Sequence, residues 1–117
     1  MDGMINVSVN NNRIIIPKVY REELGSRVIY YYDRNTNSIR IYNYDLLSKR
    51  LEKVLELNLD RRINRTIFSN MFDANISQGN RLLIDKRTRE LLDLENEATI
   101  IGCDDHLKLC KKRVKLS

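Results

Sequence analysis

Two arginines occupy matched places in this chain. Arg13 is the second residue of NRIIIPKVYREEL (residues 12–24), and Arg81 is the second residue of NRLLIDKRTRELL (residues 80–92). Each leaves a polar turn, NNN or SQGN, and enters a short β-branched or leucine-rich strand. An arginine at the exit of a tight turn is held by the strand behind it. A guanidinium fixed in that way can make bidentate contact with guanine or grip a phosphate. Lys18, Arg21, Lys86, Arg87 and Arg89 follow on the adjoining helices, where they could hold phosphates. Taken singly, an arginine at a strand start is usually solvated or paired with a surface acid. Recurrence at a matched position shifts that balance. For Arg21 and Arg89 the alternative is a solvated helix face, neutralised by Glu22, Glu23 and Glu90.

The elements that must position these residues follow from the repeat. At a spacing of 68 and without a gap, the two stretches share seven identities in thirteen positions, Asn12/Asn80, Arg13/Arg81, Lys18/Lys86 and Arg21/Arg89 among them. That agreement marks an internal repeat. Each copy has one grammar. An apolar piece, INVSV or ANI, is followed by the turn, the strand RIII or RLLI, a short helix and a hairpin. Pro17 stands at the first helical position of copy one, which needs no N–H donor. Asp85 stands there in copy two, at the positive end of the helix dipole. Gly25 ends the first helix. The hairpins are RVIYYY and SIRIYNY around DRNTN, and ATIIGC and HLKLC around the Asp104–Asp105 turn.

Between the copies, Leu47, Leu51, Val54 and Leu55 follow helical spacing, with Asp45 as the expected cap. Asn58 interrupts. Asp60 then caps a second expected helix, RRINRTIFSNMF, with Ile63, Ile67 and Phe68 or Met71 inward. The expected class is α+β, one domain over residues 1–117. Two ββαββ repeats (about 5–44 and 73–112) pair into one closed or interleaved pseudo-twofold barrel, and a helical pair (about 45–72) packs outside it.

Composition narrows the function. The chain has 117 residues, 42% of them hydrophobic, and a formal net charge of +5, which suits a polyanionic partner without proving one. The longest apolar runs are strand-sized, not bilayer-sized. MDGMINVSVNNN does not read as a secretory leader, and two cysteines read as reduced thiols, so the expected location is cytoplasmic. Cys103, His106 and Cys110 have the spacing CxxHxxxC, a weak zinc pattern without a second ligand pair, so neither metal nor cofactor is expected. Tyr30, Tyr31, Tyr32, Tyr42 and Tyr44 fit core and interface packing better than a stacking platform for single strands. Arg61, Arg62 and Arg65 make a basic helix face, read as solvated or as a subunit contact with Glu52 and Glu56. With one histidine and no nucleophile or tuned acid–base pair in view, the chain does not read as an enzyme.

The turn–Arg–apolar–Pro–helix string resembles the AbrB-type swapped-hairpin family of bacterial DNA-binding proteins. Two copies around a helical pair containing Arg65, Phe68 and Phe72, closed by ATIIGCDDHLKLC, resemble the MraZ family more narrowly, over roughly residues 5–110. The resemblance implies rings of identical subunits, octamers or larger, associated with the nucleoid. It also implies binding to short repeated boxes of double-stranded DNA and repression of the protein's own division and cell-wall operon. The family's Asp-x-x-Gly-Arg turn places its arginine at Arg13 and Arg81. The wider family's basic helix residue falls on Arg21 and Arg89. This chain departs from the pattern at the turn acid, which is absent, and at the turn glycine, which is Asn12 or Asn80. Copy one's turn is one residue shorter, and copy two lacks the proline. Asparagine tolerates the left-handed backbone that glycine would supply. Two other readings stay open. One is an antitoxin-like module of the same fold, against which the short basic end KKRVKLS argues. The other is a decayed copy that binds DNA without reading it.

Overall fold

The computed structural model describes residues 1–57 and 69–113. Along the chain run β1 (Met4–Asn10), β2 (Arg13–Ile15), α1 (Lys18–Leu24), β3 (Arg27–Asp33), β4 (Ser38–Asn43) and α2 (Tyr44–Leu57). Then come β5 (Met71–Asn75), β6 (Arg81–Leu83), α3 (Lys86–Leu92), β7 (Glu97–Gly102) and β8 (His106–Lys111). The eight strands form one sheet in the order β5-β3-β4-β8-β7-β1-β2-β6. Every named pairing is antiparallel. The two ends of that order, β5 and β6, are chain neighbours joined at the Ser77–Arg81 bridge. The molecule is therefore an α+β domain built on a nearly closed eight-stranded antiparallel barrel.

The short strands explain the closure. A three-residue strand such as β2 offers one inward side chain, Ile14, with Arg13 and Ile15 outward. Such a strand is stable only when neighbours complete the apolar interior. Ile14 lies opposite Leu82 of β6, and on the far side of the barrel Ile39 and Ile41 of β4 face Leu109 and Leu107 of β8. All six are fully buried. Each such burial is worth roughly 1.5–3 kcal/mol against exposure. Tyr20 and Leu24 of α1 and Leu92 of α3 plug the same core. β1 pairs with β7 and β5 with β3, so each of these strands lies beside a hairpin distant from it in sequence.

The helix ends differ in detail from the sequence reading. Pro17 and Asp85 are the residues just before their helices, not the first residues within them. Asp85 caps with its side chain, accepting from the backbone N–H groups of Arg87 (3.1 Å) and Thr88 (3.3 Å). Gly25 ends α1 at φ 76°, a backbone that suits glycine, and its N–H donates to Arg21 O. The cap of α2 is Asn43, whose Oδ1 accepts from Leu46 N at 3.0 Å. Asp45 is not the cap, because it lies inside the first turn, where it still favours the helix dipole. Leu47, Leu51 and Leu55, four residues apart, form the inward stripe, while Val54 falls outside it and is 42% exposed.

The second expected helix also needs correction. Met71 and Phe72 open β5, where they pair with Tyr31 and Tyr30 of β3. Ladder bonds and the stacking of Phe72 on Tyr30, centroids 5.0 Å apart, override the helical spacing of the local sequence. The second strand-forming segment thus begins at Met71, not near 73. Asn58, Asp60, Arg61, Arg62, Ile63, Arg65, Ile67 and Phe68 lie outside the described residues, as does the end of the basic tail.

Candidate nucleic-acid interface

The β2–β6 ladder carries both turn arginines. Its register sets Arg13 opposite Leu83, Ile14 opposite Leu82 and Ile15 opposite Arg81. With a period of two, Ile14 and Leu82 point inward and are fully buried, while Arg13, Ile15, Arg81 and Leu83 point outward. Arg13 and Arg81 are diagonal neighbours on this outer face, with backbones roughly 7–8 Å apart. They line one shallow hollow of about 190 Å³ with Ser8, Asn10, Asn11 and Ile15. Neither guanidinium meets an acceptor among the described residues.

The turns that launch them are tight and left-handed. Asn11 (φ 50°) and Asn12 (φ 61°) link the Asn10–Arg13 pair of β1 and β2. Gln78, Gly79 (φ 79°) and Asn80 (φ 60°) link Ser77 to Arg81, with Asn80 N donating to Ser77 O at 3.1 Å. The first turn is one residue shorter, as the sequence suggests. Each turn is stitched to the other strand. Ile84 N donates to Asn12 O, and Ile16 N donates to Asn80 O, both at 2.7 Å.

Arg21 and Arg89 come to the same turns, but inward. Arg89 Nη1 donates to Asn12 Oδ1 at 2.6 Å, and its Nη2 donates to Glu95 O at 3.4 Å. Arg21 Nε donates to Asn80 Oδ1 at 3.1 Å, and its Nη1 donates to Gly25 O. Both side chains are half-buried. Lys18 and Lys86 are exposed at the helix starts, two residues beyond the strand ends that bond to Asn80 and Asn12. The fold thus brings all six anticipated residues around the paired turns, four exposed and two engaged.

The sequence reading did not single out Ile15 and Leu83, which are 48% and 52% exposed between the arginines. After the arginine, RIII and RLLI are unbroken apolar runs, so only the period of two of a strand, not the residue types, sets Ile15 and Leu83 outward. Nor did it foresee the side-chain role of Asn12 and Asn80, although the repeat alignment matched them to each other and Arg21 to Arg89.

The remaining candidates are occupied elsewhere. Tyr30 is buried and its hydroxyl accepts from Asp85 N at 2.9 Å. Tyr42 is buried between Tyr31 and His106. Burial, helped by Tyr42, pushes the Tyr31 phenol up to about 12. Tyr44 lies beneath the Arg27 guanidinium, 3.5 Å from the ring centroid, and Arg27 also holds Asp73. Cys110 is buried against Thr99 O, and His106 Nδ1 meets Asp105 at 2.7 Å. Among the described residues no group of three His, Cys, Asp or Glu side chains is placed to hold a metal. No helix among them is long and apolar enough to cross a membrane.

Barrel and edge together define a small α+β protein with two exposed turn arginines on one two-stranded ribbon. No protein-family profile matches the chain. It is similar to the transcriptional regulator MraZ of Caldicellulosiruptor saccharolyticus, 28% identical over 96 residues, which cover 80% of this chain and 67% of that protein. It is also similar to the transcriptional regulator MraZ of Caldanaerobacter subterraneus subsp. tengcongensis, 25% identical over 109 residues, or 90% of this chain and 76% of that protein. The chain is MraZ-like over most of its length. The relatives are named as transcriptional regulators, not enzymes.

Proposed function

We propose that this protein is a double-stranded DNA-binding transcriptional regulator that reads sequence with Arg13 and Arg81. The observation that carries the reading is the pair of guanidiniums on the outer face of β2 and β6, neither meeting an acceptor among the described residues. A two-stranded ribbon fits the major groove, about 12 Å wide, where an arginine bonds guanine O6 and N7. Ile15 and Leu83 lie between the arginines and pack on thymine methyl groups. Lys18, Lys86 and Arg87 hold the flanking phosphates.

The chain consists of two repeats about a pseudo-twofold axis. Exchanging β1 with β5, β2 with β6, β3 with β7 and β4 with β8 returns the same circular strand order, which supports that reading. The matched bonds from Ile16 to Asn80 and from Ile84 to Asn12 support it too. The names of the relatives support regulation of transcription. By the family resemblance, the protein acts in the cytoplasm at the nucleoid as a homo-oligomeric ring. There it binds short repeated boxes and represses its own division and cell-wall operon.

The test is a titration against DNA from directly upstream of the gene and against a shuffled control, at low and near-physiological salt. The reading expects a preference for the native DNA that survives the higher salt. Equal binding that collapses with salt would leave only phosphate attraction. Stoichiometric capture of an unrelated small protein, with no DNA preference, would favour the antitoxin-like role.

A further inference from the structure

We infer that Arg21 and Arg89 are positioning residues that work crosswise: Arg89 aims Arg13, and Arg21 aims Arg81. The inference rests on the DNA-binding reading above. Asn12 is the residue immediately before Arg13. Its main-chain oxygen accepts from Ile84 N, and its side-chain oxygen accepts from Arg89 Nη1. Asn80, immediately before Arg81, is held in the same two ways by Ile16 N and Arg21 Nε. Each asparagine is therefore fixed at two atoms by the opposite half of the chain. Each clamping guanidinium is fixed in turn by a second acceptor, Glu95 O or Gly25 O. A planar fork held between two acceptors has little freedom left.

The residue types fit this task. The left-handed backbone at Asn12 and Asn80 would also suit glycine, but glycine has no side-chain acceptor. Neither turn, NNN or SQGN, carries an acid. A neutral amide takes the guanidinium, so the arginine charge is not cancelled. The clamp leaves the edge positive while it fixes the turn, which suits attraction of a polyanion.

The variants that separate positioning from phosphate contact are Arg89→Lys and Asn12→Gly, with Arg21→Lys and Asn80→Gly as the mirror pair. Arg89→Lys keeps the charge and loses the fork. Asn12→Gly keeps the turn backbone and changes no charge. Binding is measured on upstream DNA substituted at each base pair, over a range of salt. Arg13→Ala and Arg81→Ala locate the positions that each turn arginine reads.

Arg89→Lys and Asn12→Gly should each cut discrimination about tenfold or more at the Arg13 position. Discrimination at the Arg81 position and the salt slope should not change. The double variant should be no worse than either single one. In the free protein, amide exchange should quicken at Asn11, Asn12 and Arg13 and stay unchanged at Gln78, Gly79, Asn80 and Arg81.

Full base discrimination in Arg89→Lys would overturn the inference, and an Arg89→Ala variant weakened equally on all sequences, with a salt slope lower by about 0.9, would mark Arg89 as a phosphate contact instead. Unchanged exchange at the Asn12 turn would overturn it regardless of the DNA results. A wild-type protein with no base preference would remove the functional reading instead, and the exchange measurement would still decide whether the crossed bonds hold the turns.

Discussion

Ile15 of β2 lies opposite Arg81 of β6 across an antiparallel ladder, an aliphatic side chain facing a cation on the outside of the barrel. The next positions inward, Ile14 and Leu82, face each other in the core. One step along a strand therefore separates a buried residue from an exposed one. Leu82→Ala should destabilise by about 2–5 kcal/mol, by loss of transfer energy and a cavity. Leu83→Ala should change stability by no more than about 0.5 kcal/mol, yet weaken binding to upstream DNA. Thermal melts beside DNA titrations of the two variants check the contrast. A large loss of stability in Leu83→Ala would show that this face is not a free surface.

The two turn arginines also predict a spacing on DNA. Their backbones are roughly 7–8 Å apart, and base pairs stack 3.4 Å apart, so the positions they read lie within about two or three steps. Base-by-base substitution, scored in Arg13→Ala and Arg81→Ala, measures this directly. Affected positions a full helical turn apart would show that the two arginines of one chain do not share a groove.

The start of α3 depends on two acceptors that belong to different elements. Asp85 caps α3 with its side chain while its own N–H donates to Tyr30 Oη. Asp85→Ala should cost about 1 kcal/mol through the lost cap. Tyr30→Phe should cost about 1–3 kcal/mol, because a partly buried N–H then lacks its partner. Denaturant titration measures both. A neutral Tyr30→Phe would mean that water replaces the hydroxyl.

Acid should weaken the protein at two identified carboxylates. Hydrogen bonds from His106 and then Arg50 hold the Asp105 carboxyl below its usual 3.8. Arg27 does the same for Asp73. A carboxylate depressed in the folded state contributes stability above its unfolded pKa and loses it as pH falls through the folded value. These contributions are thus complete above about pH 5 and disappear on descent below about pH 4. The stability gap between the wild type and Asp105→Asn should therefore narrow as pH falls below 4. A gap that is constant from pH 6 to 2 would contradict the assignment.

Much of this architecture was legible in the sequence, where residues 12–24 and 80–92 match at seven of thirteen positions. Both stretches form a strand and a helix, with Ile14 and Leu82 inward and Arg13 and Arg81 outward. Less legible were features that depend on how the halves meet. Local pattern ran a helix through Met71 and Phe72, but pairing with β3 made them a strand. Asp45 resembled a cap, but Asn43, at the end of β4, reaches the helix N–H first. Arg21 and Arg89 read from sequence as phosphate contacts or as a solvated helix face, because their acceptors lie 59 and 77 residues away in the chain. Helical periodicity contains no information about such partners.

If one ribbon edge reads DNA through Arg13 and Arg81, removing both guanidiniums removes the base preference. The most direct measurement compares the wild type with an Arg13→Ala/Arg81→Ala double variant on upstream and shuffled DNA at near-physiological salt, with a thermal melt of each. The variant should melt like the wild type and bind the two DNAs alike, its preference gone. A preference that persists in a folded double variant would contradict that reading.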